Sequence, residues 1–401
     1  MRFNLRCTIV SCLIFPINIA WAAPSILILT SYPESFYSPI TQAFNQQYPD
    51  ITLRVLNKKT PALITHVVSK RSPTADLVWL SSSDAMAQLH TQQYIDEPST
   101  FAWSQFGFLW HQDKLKSHNL SPPEKWEDLL KPEFANQVAL SAPSRSGTNH
   151  LLIELVLQQY GWESGWALLN QLGGNIATIT ARSFGVREGI LKQRFITAPV
   201  VDFFYKSALA QGHNVGFKPL PYTPLIPAQI ATLKSHGGNP SALKFIQFLT
   251  STEGQSLMES PHVGRIPLNV GRQITQQQSL PPFDANLSAQ RYHTVNVLFD
   301  FIVTQRLPQL QEFWQQWAQL NNQPLTEEEE RYLQSAVQII IKAPVDESVA
   351  SDPTLNQKLS PPFKYEHFYQ RVTKGWEAEL NAQLEQAYQQ LEYVIALRRG
   401  V

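Results

Sequence analysis

The ten-residue run Ser141-Ala142-Pro143-Ser144-Arg145-Ser146-Gly147-Thr148-Asn149-His150 sets the hydroxyls of Ser144, Ser146 and Thr148 around one guanidinium, Arg145, and one glycine, Gly147. It follows an apolar run at 138–140, and apolar spacing predicts a helix over 148–160. The first N–H groups of a helix have no partner within it and carry partial positive charge, so such a junction holds phosphate or carboxylate. Gly147 lets the backbone come close to a ligand, and Arg145 adds a charged, bidentate contact. The same residues also suit an ordinary Ser/Thr helix cap beside a surface arginine. A second junction echoes the first: Thr178-Ile179-Thr180-Ala181-Arg182-Ser183-Phe184-Gly185 ends a strand and starts a helix with another Arg-Ser pair.

Two further junctions match these on the N-terminal side. Thr30-Ser31-Tyr32 follows the first predicted strand, and Ser81-Ser82-Ser83-Asp84 follows the third. Ser31, Tyr32, Ser82 and Ser83 are candidates to grip the far side of a polar solute, although Ser and Asp are ordinary helix-start residues. In open α/β sheets ligands sit beyond the carboxyl ends of strands, where these junctions fall. Asp202 and Tyr205 follow another strand. Either they line the same cleft, or Asp202 caps a helix and Tyr205 joins Phe203 and Phe204 in the core.

Motifs for catalysis are missing. There is no G-x-S-x-G elbow, no H-E-x-x-H, no P-loop and no G-x-G-x-x-G after a strand. The ten histidines are scattered, with His66, His90, His111 and His118 read as surface or capping residues. Trp162 and Trp166 read as core and not as a sugar platform. An enzyme, a metal centre and a cofactor are therefore not expected.

The elements that must position these residues alternate. Strands are predicted at 25–29, 51–56 and 75–80, each followed by a helix, at 35–47, 61–69 and from Asp84. Strands at 138–140, 176–180 and 195–201 and helices at 148–160 and 186–192 form a second set. A strand near 229–233 and helices at 241–249 and 252–259 return to the first. The alternation implies parallel sheets with helical cover, in two lobes: 23–105 with 228–283, and 106–227. Pro281-Pro282 marks a break, after which 284–401 reads as helical, with helices over 287–319, 326–341 and 368–399. Its apolar face either packs on the lobes or meets a partner.

Arg2 and Arg6, an apolar stretch at 7–19 and Ala20-Trp21-Ala22 have the pattern of a cleaved signal peptide over 1–22, which predicts export. Both cysteines, Cys7 and Cys12, lie inside it, so disulfides and thiol chemistry drop out with its removal. The full chain has 32 basic and 32 acidic residues, and losing Arg2 and Arg6 leaves 30 against 32. No basic excess is present to hold nucleic acid or anionic lipid, and no later stretch suits membrane insertion.

The strings SAPSRSGTNHLL, QQYGWESGWALL and TITARSFGV within 141–190 resemble the bacterial extracellular solute-binding proteins, and among them the phosphoglycerate transport regulatory proteins. The resemblance implies an α/β, two-lobed periplasmic-binding-protein-like fold (type 2) with crossing hinge strands, here extended by an all-helical C-terminal region. It implies a periplasmic protein that binds a small phosphorylated or carboxylated anion, phosphoglycerate foremost, and works with a membrane sensor kinase, a permease, or both. Iron binders of this superfamily use paired tyrosines where this chain reads Phe203-Phe204-Tyr205, which weakens the ferric-ion alternative. A secreted phosphate-ester hydrolase is a second alternative, opposed by the missing nucleophile and metal motifs. A scaffold whose cleft binds nothing is a third.

Overall fold

The computed structural model describes residues 24–69, 75–234, 238–278 and 280–399. The signal segment at 1–22 lies outside the described residues. The chain opens with β1 (Ser25–Thr30), α1 (Glu34–Gln47), β2 (Thr52–Asn57), α2 (Thr60–Val68), β3 (Leu77–Leu80), α3 (Ser83–Thr91) and β4 (Ser99–Ser104). Helix α1 forms because Phe36, Ile40 and Phe44 recur every four residues and give it one apolar stripe, which is buried. β3 is buried along its whole length, as a strand covered on both faces must be.

A single residue, Gln105, separates β4 from β5 (Phe106–His111), which belongs to a second sheet. There follow α4 (Gln112–Ser117), β6 (Val138–Ser141), α5 (Gly147–Tyr160), α6 (Trp162–Gly173), β7 (Ile176–Thr180), α7 (Ser183–Leu191), β8 (Thr197–Val201), α8 (Phe203–Ala210) and β9 (Val215–Pro219). β10 (Ile226–Thr232) returns to the first sheet, followed by α9 (Pro240–Thr250), α10 (Thr252–Glu259), β11 (Ile266–Pro267) and α11 (Leu268–Gln277). The first sheet has the order β11-β4-β10-β3-β1-β2 and the second β7-β6-β8-β5-β9. β1, β2 and β3 run parallel, as do β6, β7 and β8; β4, β5, β9, β10 and β11 pair antiparallel. Two α/β lobes are thus joined by two crossings, one at 105 and one at 220–225.

The remaining elements among the described residues are helical: α12 (Ala285–Gln290), α13 (Tyr292–Phe299), a π-helical turn at Asp300–Thr304, α14 (Leu307–Asn321), α15 (Glu327–Ile340), α16 (Glu347–Ala350), α17 (Pro353–Lys358) and α18 (His367–Arg399). The single helix expected over 287–319 is instead broken into these first pieces. Pro308 explains one break: inside a helix it would lose a backbone bond and clash, so the helix restarts with it in the first turn. The π turn is closed by Gln305 N–H on Asp300 C=O at 2.8 Å. α15 starts where the sequence placed it, with Glu329 N–H donating to Thr326 Oγ1 and Thr326 N–H to Glu329 Oε2.

Helix α5 is buried on nearly all sides from Gly147 to Leu157. A helix that is apolar all round needs cover on both faces. The second sheet supplies one, and the helical tail supplies the other: Leu298, Phe299, Leu310, Phe313 and Trp314 share a core with Leu151, Val156 and Trp166. Polar ties reinforce it. Asn170 Nδ2 donates to Ile340 C=O at 2.9 Å, Trp314 Nε1 to Asn170 Oδ1 at 3.2 Å, and Trp162 Nε1 to Val345 C=O at 2.8 Å. The tail's apolar face therefore packs on the second lobe. α12 reaches across to α3 of the first. No helix among the described residues is long and apolar enough to cross a membrane.

Candidate anion-binding cleft

Six parallel strands of the two sheets end at one cleft. Ser31, Tyr32 and Pro33 follow β1, Lys59 and Thr60 follow β2, and Ser81 follows β3. From the other lobe come Arg145, Ser146, Gly147 and Thr148 after β6, Arg182, Ser183 and Phe184 after β7, and Phe203 and Phe204 after β8. Each junction also starts a helix. Pro33, Lys59, Ser146 and Arg182 are the N-caps of α1, α2, α5 and α7, so four sets of first-turn N–H groups and their partial positive charge converge there. Among the described residues, the lining holds three cationic side chains, Lys59, Arg145 and Arg182, and no carboxylate.

The lobes touch across this cleft. Ser81 Oγ lies 3.2 Å from Thr148 Oγ1, and both terminal nitrogens of Arg182 lie 3.5 Å from Asn57 Oδ1. A Cβ on Gly147 would fall 2.7 Å from Thr60 Oγ1 and 2.8 Å from Ser82 Oγ, so only glycine permits this approach. The enclosed volume is about 40 Å³, room for about three or four waters at about 10–15 Å³ each. A three-carbon acid phosphate enters only when the lobes part.

Eight of the residues singled out in the sequence meet here: Ser31, Tyr32, Arg145, Ser146, Gly147, Thr148, Arg182 and Ser183. Five do not. Ser82 is fully buried and donates to Asp84 Oδ1, and Ser83 is buried in the first turn of α3. Ser144 turns to the tail beside the Asp300 carboxyl, which accepts from Thr304 Oγ1 at 3.1 Å and which burial holds above the usual range. Tyr205 stacks on Phe217 at 5.3 Å between ring centres. Ser81, named in the sequence only as part of its junction, lines the cleft, whereas Lys59 and Thr60 were not singled out. Pro61, a residue favoured in the first helical turn, was the available sign that Lys59 and Thr60 sit at a strand-to-helix junction.

Asp202 occupies the N-cap position of α8 beneath the cleft, but its side chain makes no capping hydrogen bond. Its N–H donates to the crossing residue Gln105, and both its carboxylate oxygens are buried without a hydrogen bond. Lys206 Nζ stands 3.9 Å away. Across the hinge, Arg265 is buried against the faces of Tyr32, Phe36 and Phe203 at 5.1, 5.0 and 4.4 Å and donates to Ser104. Burial pushes the Asp202 carboxyl up to about 6 against the pull of Lys206 and Arg265, and it pushes the Tyr32 hydroxyl up to about 12. The folded state holds the Asp202 proton more tightly than the unfolded chain does. Its stabilising share is therefore full below about pH 4 and is lost as pH rises through about 6. Asp202→Asn is expected to flatten that slope and to raise stability at pH 8 by about 1–3 kcal/mol, read from urea unfolding at pH 4 and pH 8. An unaltered slope would mean the carboxyl is solvated.

The family described as bacterial extracellular solute-binding protein matches residues 30–261. A second family, described as trehalase, matches 258–383, under a third of the chain. The phosphoglycerate transport regulatory protein PgtC of Salmonella typhimurium is 30% identical over 315 residues, 72% of this chain and 79% of that protein. Among solved structures, the periplasmic binding protein AfuA of Actinobacillus pleuropneumoniae, with fructose-6-phosphate bound, superposes with a TM-score of 0.64 at 15% identity, over 71% of this chain and 99% of that one. Iron-bound HitA of Pseudomonas aeruginosa gives 0.53 at 15% identity, over 66% of this chain and 92% of that one. At these identities the two structures speak to the fold alone, which is that of periplasmic binding proteins.

Proposed function

The chain belongs to the bacterial extracellular solute-binding proteins, and from that premise we propose that in the periplasm it binds a small phosphorylated or carboxylated anion, phosphoglycerate foremost, and reports it to a membrane partner. The observation that carries the ligand class is the lining: Lys59, Arg145 and Arg182 without a carboxylate, at the start of four helices. Such a lining favours a ligand with two or three negative charges, as a phosphate and a carboxylate on one short carbon chain provide. Hydroxyls of Ser31, Ser81, Thr148 and Ser183 supply neutral donors for the remaining oxygens. The relative's name, a phosphoglycerate transport regulatory protein, supports the ligand and a regulatory role; a membrane sensor kinase as the partner is part of this proposal.

A ferric ion fits this lining poorly. It needs anionic oxygen donors, and Tyr32, the one tyrosine at the cleft among the described residues, has its hydroxyl pushed up to about 12. Hydrolysis of phosphate esters would need a nucleophile or a metal-held water. Among the described residues, no group of three or more His, Cys, Asp or Glu side chains is placed to hold a metal ion.

Thermal unfolding in the presence of 2-phosphoglycerate, 3-phosphoglycerate, phosphoenolpyruvate, inorganic phosphate, ferric citrate and a neutral sugar tests the reading. A true ligand at 100 times its Kd should add about 2.7 kcal/mol of stability, and a phosphorylated three-carbon acid is expected to give the largest shift. A shift with ferric citrate alone, or release of phosphate from the esters, would replace this reading with one of its rivals.

A further inference from the structure

Helix α5 begins at the cleft and carries two buried polar side chains one turn apart, His150 and Glu154. Both meet the helical tail. Glu154 accepts from Arg291, between α12 and α13, through Nε at 3.0 Å and Nη2 at 2.9 Å. His150 Nδ1 lies 2.9 Å from Asn296 Oδ1, and its ring lies 4.2 Å from that of Tyr292. The other ring nitrogen, Nε2, is 3.2 Å from both Ser288 Oγ of the tail and Asp84 Oδ2 of the first lobe. Ser288 Oγ donates to the same Asp84 oxygen at 3.0 Å, while Ser82 Oγ and Ala85 N–H donate to the other. Asp84, His150 and Ser288 are all fully buried. One dry polar node thus joins three bodies.

We propose that the helical tail is a latch that holds the two lobes together without ligand, with Asp84, His150 and Ser288 as its catch. The tail is fastened to the second lobe by their shared apolar core and by the Arg291–Glu154 pair. It reaches the first lobe through α12 on α3 and through Ser288 on Asp84. Asp84 stands two residues from Ser82, and His150 three from Gly147, which are the positions where the lobes touch at the cleft. A rotation that parts Gly147 from Thr60 and Ser82 must also part α3 from α5. It then breaks the hydrogen bonds of the node, a loss that hydration of the carboxylate, imidazole and hydroxyl only partly offsets. Opening therefore carries a cost that two lobes joined only by hinge strands do not bear, and the tail sets how readily a solute gains entry. A second contact runs from the tail to the cleft loop, where Asp300 meets Ser144 near the charge of Arg145.

The latch rests on the two-lobed architecture and not on the identity of the solute, and its test needs no ligand. In the full chain, Ser288→Ala with Asn296→Ala removes the tail's side of the node. Hydrogen exchange of the Met86 and His150 amides, which bond Ser82 C=O and Ser146 C=O beside the node, is expected to speed up about ten- to a hundredfold, the loss of one hydrogen bond to a charged group. The radius of gyration from small-angle scattering should rise, with unfolding still cooperative. Unchanged exchange together with an unchanged radius would overturn the proposal. If the double variant does not fold, Asp84→Asn keeps the shape of the node while weakening its bonds, and the same two readouts decide. Either result leaves the ligand screen intact, because a protein that binds no phosphoglycerate can still be latched, and one that binds it can still be free.

Discussion

Gly147→Ala is expected to weaken anion binding by about 5- to 150-fold, the equivalent of the 1–3 kcal/mol that overpacking a tight contact costs. The new methyl carbon would stand 2.7 Å from Thr60 Oγ1 and 2.8 Å from Ser82 Oγ, both in the opposite lobe. Neither neighbour yields easily. Thr60 is buried, and Ser82 is held by Asp84. Within its own helix the substitution is benign, since alanine is the better helix former. The strain therefore exists only while the lobes are together. The unliganded protein can relieve it by opening, at the cost of the tail's node, and the ligand-bound protein cannot. Calorimetry should show the loss, and scattering should show a protein that compacts less when a phosphorylated acid is added. Unchanged affinity with normal compaction would mean that the ligand-bound lobes do not meet at Gly147.

Removing the three cations of the cleft should have the larger effect still. Arg145→Ala and Arg182→Ala are each expected to cost about ten- to a hundredfold in affinity, as the loss of one hydrogen bond to a charged group does. Lys59→Ala should act in the same direction from the opposite lobe. The three surround one small volume, so their effects should not add. The triple variant should bind a phosphorylated acid more weakly than any single one, by about a thousandfold or more relative to the parent. A carboxylate without a phosphate, having less charge to lose, should suffer less. Arg182 lies at 3.5 Å from Asn57, a length that leaves its guanidinium free to turn to a ligand. Unaltered affinity in both single arginine variants would reject the cleft as the anion site.

Much of this arrangement was legible in the chain. The strand–helix alternation follows from apolar runs of strand length beside stripes such as Phe36, Ile40 and Phe44. The start of α15 at Thr326 follows from a capping box written in four residues. The Arg-Ser pairs at 145–146 and 182–183 stand at the cleft because both follow neighbouring parallel strands, β6 and β7, of one sheet. The helical character of the tail was also legible, although its division into short pieces was not. One part of that division has a local cause, Pro308. Another, the π turn at Asp300–Thr304, shows no such local signal and sits where the tail meets the cleft loop.

The sequence by itself determined where the helix starts lie and that several of them offer hydroxyls and guanidinium groups, since capping preferences act within a few residues of the chain. It could not determine which way each junction faces. Within one triplet, Ser81 lines the cleft, Ser82 bonds Asp84 and Ser83 lies buried in the helix, because successive residues at a helix start point in different directions and only the opposing lobe distinguishes them. Likewise His150 and Glu154 read as polar residues on a helix, and only the tail, more than 130 positions further on, turns them into a buried node. Their partners are set by contacts between distant segments, which no local pattern encodes. The charged and hydroxyl-bearing helix starts were thus written in the chain, and the contacts between the cleft loops and the tail were decided by how the three bodies pack.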